Sequence, residues 1–262
     1  MGVVNVTPDS FYDGGQYNDP EPAVVHGRQL VADGADILDV GGESSRPGAD
    51  PVDPAVEQDR VIPVLERLAA ENIPVSVATY RASTARRALE CGAAMINDIT
   101  ALRGDPEMAE VIAASGCYCV LMHMQGMPRT MQREPRYNDV VDDIRAFFED
   151  RIAYATQAGI PEERLWIDPG FGFGKTVAHN LALLRRLGEF KALNRPILIG
   201  TSNKSTIGKV LDLPVDQRGE GTAATVAISI WNGADAIRVH DVRAMTRVAR
   251  MSDAIRGRGN HE

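Results

Sequence analysis

The sequence predicts an α/β fold, a (β/α)8 TIM barrel formed as a single domain over residues 1–262. Three observations carry that expectation. Short apolar runs alternate with amphipathic segments, there are eight such units, and no linker or break in composition divides them. An open, doubly wound sheet would show the same alternation, but eight is the number of strands that closes a barrel.

The strands are expected, in chain order, at GVVNV 2–6, DILDV 36–40, VSVA 75–78, AMIN 94–97, CVLMH 119–123, LWID 165–168, ILIG 197–200 and AIRVH 236–240. Their bodies are almost wholly apolar, as parallel strands buried on both faces should be. Between them, 56–68 repeats Val61, Val64, Leu65 and Leu68 at helical spacing, and 139–157 repeats Val140, Ile144, Phe147 and Phe148. Gly34, Gly92, Gly159 and Gly233 stand where a left-handed residue would close a helix before the next strand.

Composition narrows the function. With 44% apolar residues the chain can bury a substantial core, and a formal charge of −8 gives no general footprint for nucleic acid. No apolar run reaches the ~18 residues of a membrane span, so no membrane partner is expected. MGVVNVTPDS lacks the basic start and cleavage site of a signal peptide. MGVVNV resembles a myristoylation signal, yet a strand beginning at Gly2 would bury it. Cys91, Cys117 and Cys119 are an odd number, which argues against a disulfide framework; the last two are expected to pack rather than bind metal. A cytoplasmic location fits these features.

In a barrel of this kind the ligand sits at the C-terminal ends of the strands. Those ends carry Asn5, Asp39, Ala78, Asn97, His123, Asp168, Lys204 just past the seventh run, and Arg238 with His240. Seven of the eight ends are polar, and burying such groups without partners costs a few kcal/mol each, roughly. A polar pocket explains the ring better than solvated caps do. Asn97 and Asp168 offer an amide and a carboxylate to a flat, nitrogen-rich heterocycle, since a carboxylate pairs with an amidine-like edge through two hydrogen bonds. Lys204 could reach a ring carbonyl or nitrogen, and Met122 and Phe173 offer an apolar floor. Arg46 in ESSRPG, with Arg238 and His240 in IRVHD, makes a focused anion site in an otherwise acidic chain. Asn5 is a neutral oxygen ligand suited to Mg²⁺ on a diphosphate.

GFGFGKT at 170–176 mimics a phosphate-binding P-loop, but Pro169 occupies the position of its first glycine. Lys175 likewise replaces the last glycine of G-x-G-x-x-G. Lys191, Lys209 and the arginines from Arg243 to Arg258 are expected on solvated helix faces.

The segments MGVVNVTPDSF, ILDVGGESSRPGA, MINDI, IDPGFGFGKT, GTSNKSTIGKVL and IRVHDV, in this order and across nearly the whole chain, resemble the dihydropteroate synthase family. The resemblance implies an enzyme that joins 6-hydroxymethyl-7,8-dihydropterin diphosphate to p-aminobenzoate and releases pyrophosphate. It implies inhibition by sulfonamides, which mimic p-aminobenzoate, use of Mg²⁺, and commonly a homodimer. By resemblance, Asn97, Asp168 and Lys204 form the pterin-binding set, with Met122 and Phe173 on its faces. Asn5, Arg46, Arg238 and His240 form the diphosphate site, with Asn5 contacting Mg²⁺. Phe11, Ser45, Pro47, Ser202 and Lys204 form the p-aminobenzoate site, partly built by mobile loops at 7–15 and 44–50. Lys204, Asp168, Arg238 and His240 are the residues expected to carry catalysis, and Asp39 is expected to order the anion loop from below. Ser45 stands for the more familiar threonine, and Asn203 stands where many members have arginine, which would weaken contact with the p-aminobenzoate carboxylate.

Ala78 is the main departure, because the family pattern S-V-D-T places a pterin-site aspartate there. The implied mechanism is dissociative: pyrophosphate leaves, and a resonance-stabilised pterin methylene cation is trapped by the arylamine. A missing carboxylate beside that cation predicts a weakened enzyme. Three other functions are open at this stage. A non-enzymatic pterin-binding paralogue has Ala78 as its support. A pterin-dependent methyltransferase acting on a corrinoid protein has no need of Arg46, Arg238 and His240. A metal-dependent hydrolase would want paired histidines, and the five present form no H-x-H or H-E-x-x-H.

Overall fold

A computed structural model of the chain describes residues 1–7, 19–45 and 48–258. Phe11, Arg46 and Pro47 therefore lie outside the described residues, as does most of the 7–15 segment.

Eight parallel strands form the centre: β1 (Gly2–Asn5), β2 (Leu38–Gly41), β3 (Val75–Ala78), β4 (Met95–Asp98), β5 (Tyr118–Met122), β6 (Leu165–Asp168), β7 (Leu198–Ile199) and β8 (Ala236–Ile237). The first six pair in chain order, and β7 pairs with β8. Two parallel bridges, Ile167 to Ile197 and Gly2 to Val239, join these groups and close the ring. The last two strands are shorter than the apolar runs suggested, which leaves Arg238 and His240 on the segment just beyond β8.

Around the ring, among the described residues, run α1 (Glu21–Ala32), α2 (Pro54–Ala70), α3 (Ala82–Glu90), α4 (Met108–Ser115), α5 (Val140–Gln157), α6 (Val177–Arg185), α7 (Ser205–Leu211), α8 (Gly219–Trp231) and α9 (Val242–Ile255). Their starts follow local chemistry. Asp53 caps α2 through the Ala55 amide, and Asp139 caps α5 through those of Val141 and Asp142. Thr176 and His179 form a reciprocal capping box on α6. Gly34, Gly92, Gly159 and Gly233 all take positive φ ahead of the next strand. Two helices rather than one follow β7, and the short α7 begins directly after Lys204.

Alternation along the strands divides the core into two layers. Outward residues such as Val4, Leu38, Val40, Val75, Val77, Ile96, Cys119, Leu121 and Leu165 pack against the helices. Inward residues Met95, Val120 and Leu198, with Ile37, Trp166 and Ala236 against them, plug the lower barrel. Above that plug the inward positions turn polar. Cys117 and Cys119 are buried and unbridged, as packing residues should be.

Candidate active site

The strand register sets the floor of the upper cavity. Asn5, Gly41, Ala78 and Asn97 lie side by side in one row, and Asp39 and Ser76 pair in the row beneath. Asp39 is fully buried and serves as a hub. It accepts hydrogen bonds from Ser76 Oγ at 2.7 Å, Asn97 Nδ2 at 3.1 Å and Arg238 Nε at 2.6 Å. Within the described residues Asp39 thus aims the side chains of β4 and of the segment after β8, while Arg46 and Pro47 of the loop it was expected to order lie outside them. The physical reason is direction. Asp39 follows Ile37 on the inward side of β2, so its carboxylate meets the facing strands.

Spending Nδ2 on Asp39 leaves Asn97 Oδ1 buried with no partner among the described residues. A buried carbonyl oxygen without a partner costs about 1–3 kcal/mol, so this position is prepared for a donor. Asp168, at the end of β6, lies level with Met122 in the sheet. Its Oδ1 accepts the Gly170 amide at 2.7 Å. Burial raises the Asp168 pKa to about 6, opposed by that amide and by the charges of Lys204, Lys175 and Arg238.

Met122, Met124, Met131 and Phe173 bury one another in one apolar cluster, which brings together the two residues that the sequence named as a floor. Lys204 Nζ stands 4.2 Å above the Phe173 ring, a cation–π placement that holds the ammonium over the same cavity. Ser202 Oγ lies 2.9 Å from His240 Nδ1 and accepts the His240 amide at 3.3 Å. Two residues expected in different subsites are therefore in contact. Asn5 is half-buried at the end of β1, and Ser45 is half-buried four residues beyond β2.

Asn203 has a local role that explains its type. It takes a left-handed φ of 57°, which asparagine tolerates well. Its Oδ1 accepts Thr222 Oγ1 at 3.4 Å, which ties it to α8.

His123, at one of the polar strand ends, follows the inward Met122 and turns outward. Its ring meets Phe147 of α5 edge-on at 4.8 Å, and Nδ1 lies 3.0 Å from Lys175 Nζ. The sequence reading also missed two supports. Lys175, set aside with the false P-loop, is buried beneath the loop after β6. Arg81 bonds Glu43, Glu57, Tyr80 and the Val52 carbonyl, while Glu43 accepts the Val52 amide, so both ends of segment 43–52 are clasped. Neither support leaves a periodic signal; a lone basic residue flanked by turns was the only trace.

Among the described residues no three His, Cys, Asp or Glu side chains gather to hold a metal. The Asn5 amide oxygen is the donor that the sequence singled out. One protein oxygen suits Mg²⁺ when substrate phosphates and water complete the shell.

Residues 1–240 match a family model described as pterin binding enzyme. The dihydropteroate synthase of Bacillus subtilis (strain 168) is 45% identical over 260 residues, covering 99% of this chain and 89% of that protein. A crystal structure of the Yersinia pestis dihydropteroate synthase with a sulfonamide drug superposes with a TM-score of 0.93 at 43% identity, covering 98% of this chain and 94% of that one. The Xanthomonas albilineans dihydropteroate synthase in complex with 7,8-dihydropteroate gives 0.89 at 42% identity, covering 99% and 94%.

Proposed function

The chain belongs to the pterin-binding enzyme family, among its dihydropteroate synthases, and from this premise we propose how its cavity joins 6-hydroxymethyl-7,8-dihydropterin diphosphate to p-aminobenzoate. The observation that carries the reading is the pairing of a buried carboxylate, Asp168, with an unpartnered buried carbonyl, Asn97 Oδ1, above an apolar floor. Asp168 accepts the amidine-like edge of the pterin through two hydrogen bonds, and Asn97 Oδ1 accepts a further N–H. Phe173 and Met122 cover the ring faces, and Lys204 donates to the ring edge.

Arg238 and His240 receive the diphosphate, with Arg46 as the third cation. The C–O bond to pyrophosphate breaks, the methylene carbon becomes cationic, and the amine nitrogen bonds to it with loss of one proton. Arg238 and His240 hold the charge that gathers on the leaving group, and the Asp168 carboxylate offsets the charge on the pterin. Asn5 is the residue that would hold Mg²⁺, whose chemistry there is neutralisation of the diphosphate. Ser45, Ser202 and Lys204, with Phe11 and Pro47, form the p-aminobenzoate site, where a sulfonamide would compete.

Two further points belong to this reading. Ile228 and Trp231 on α8 and Met251 and Ile255 on α9 are exposed apolar side chains on two packed helices, which supports a homodimer through that face. Three unbridged cysteines suit a cytoplasmic location, and no helix among the described residues is long and apolar enough to cross a membrane.

The test is direct. Incubation with the pterin diphosphate, p-aminobenzoate and Mg²⁺ is expected to release pyrophosphate and dihydropteroate in equal amounts. Binding of the pterin diphosphate without release of either product would favour the non-enzymatic paralogue instead.

The pH dependence follows from Asp168. Its pKa is raised, so it takes up a proton at a higher pH than an ordinary carboxylate, and the protonated form cannot accept both pterin N–H groups. Affinity for the pterin is expected to be nearly full above about pH 7, about halved at pH 6 and to fall by about tenfold per pH unit below about pH 5. Calorimetry from pH 4.5 to 7.5 (roughly the window around that pKa) measures it; a flat profile would remove Asp168 from the pterin contact.

A further inference from the structure

The loop joining β6 to α6 folds over the end of β5, and a single buried cation lies inside it. Lys175 is 3% exposed. Its Nζ faces Gly170 O at 3.0 Å, Phe173 O at 2.9 Å, His123 Nδ1 at 3.0 Å and His123 O at 3.4 Å. All can accept, so the nitrogen donates to them. Burial pushes the Lys175 pKa down to about 7, against the opposing charge of Asp168, so the ammonium form is held fully below that pH. Burial and the nearby Lys175 charge lower the His123 pKa to about 2, which leaves the ring neutral with its proton on Nε2. A buried ammonium persists only when its donors are satisfied, so the loop must keep two carbonyls turned inward.

The loop backbone is shaped for this. Gly170 and Gly174 have φ of 69° and 60°, and a Cβ at either would run into the carbonyl oxygen of His123 or Gln125. The same few residues carry the cavity's ligand-facing groups. The Gly170 amide holds the Asp168 carboxylate, Gly170 O accepts the Phe173 amide at 3.0 Å, and the Phe173 ring lies beneath Lys204.

We propose that Lys175 is a positioning residue for the pterin: by binding the Gly170 and Phe173 carbonyls to the end of β5, its ammonium sets the Asp168 carboxylate and the Phe173 ring at a fixed angle to one another. Lys175 does not touch the ligand in this account; it acts through the loop. The titratable and charged groups around it are His123 after β5, Asp168 on β6, Lys204 before α7 and His179 in the first turn of α6, with Arg103 acting on His123. Of these only Asp168 is acidic, and Lys175 lowers its pKa. Removing the ammonium therefore disorders the loop and also favours the protonated carboxylate.

The inference rests on the pterin reading of the cavity. If that reading failed, the unmodified protein would show no saturable dependence on the pterin diphosphate, whereas failure of the Lys175 role would leave that dependence intact. The test is steady-state kinetics of Lys175→Met across pH. The expected result is a KM for the pterin diphosphate raised about tenfold, with the KM for p-aminobenzoate changed less than about twofold. The acid limb of kcat/KM for the pterin is expected to move upward by about one pH unit. Should Lys175→Met not fold, His123→Leu removes one of the four acceptors from a side chain that faces away from the cavity. The same split is then expected at about threefold. A lower melting temperature with equal changes in both KM values in whichever variant folds, or an unmoved acid limb in Lys175→Met, would overturn the proposal.

Discussion

Arg238→Ala is expected to weaken binding of the pterin diphosphate by about 10²-fold while weakening a phosphate-free pterin only about threefold. The guanidinium is split between two tasks. Its Nε donates to the buried Asp39 carboxylate at 2.6 Å, which leaves its remaining N–H groups for an anion. Truncation removes the anion contact and also leaves Asp39 with only Ser76 and Asn97 as donors. Breaking a buried pair typically costs about 3–5 kcal/mol; the Arg238 side chain is 25% exposed, so a stability loss of about 2–3 kcal/mol is expected. Binding by calorimetry and unfolding in denaturant separate the two effects. Asp39→Asn supplies the control, because it keeps the cation but loosens its aim, and should weaken both ligands by loosening Asn97 as well. Equal losses for the phosphorylated and phosphate-free ligands in Arg238→Ala would remove Arg238 from the diphosphate site.

Ala78→Asp is expected to raise turnover by at least about tenfold with little change in diphosphate affinity. Ala78 is half-buried at the tip of β3, and its neighbour in the same row on β2 is Gly41, which has no side chain. A Cβ built at Gly41 would stand 3.5 Å from the Ala78 Cβ, so the two small residues leave room for a carboxylate beside Asn97. A preorganised group at a developing charge is worth about 3–4 kcal/mol, here for the pterin methylene cation. Asp39 in the row beneath and Asp168 across the cavity would repel the new charge and soften the gain. If the protein as it stands turns over as fast as Ala78→Asp, the cation is stabilised by other groups and the electrostatic role of this position fails.

The barrel was legible in the sequence for a local reason. A strand buried on both faces reads as an apolar run wherever it occurs, and seven of the eight runs match their strands to within two residues at each end. The polar ends of those runs marked the cavity, because a polar group at the top of a buried strand needs a partner. Asp168, Asn97, Arg238 and His240 could be singled out on that ground, and the resemblance attached roles to them. Where the pattern misled was at His123, one residue past β5. There the alternation still held, but the sequence reading took a polar residue at a strand end to be an inward one.

What the sequence by itself determined is the order of strands and helices and the ring of polar residues at one end, since periodicity and composition act over a few residues. What only the tertiary structure decided is how those polar groups divide the hydrogen bonds among them. Arg238 and Asp39 are 199 residues apart and share one short contact that also fixes Asn97. Lys175 looked like part of a failed phosphate loop, and it became a buried ammonium because Gly170, Phe173 and His123 turn four acceptors onto it. Such contacts join residues remote in the chain or turned inward by a loop. The free energy that selects them is the desolvation of each charge, which depends on what surrounds it in three dimensions and leaves no spacing in the sequence.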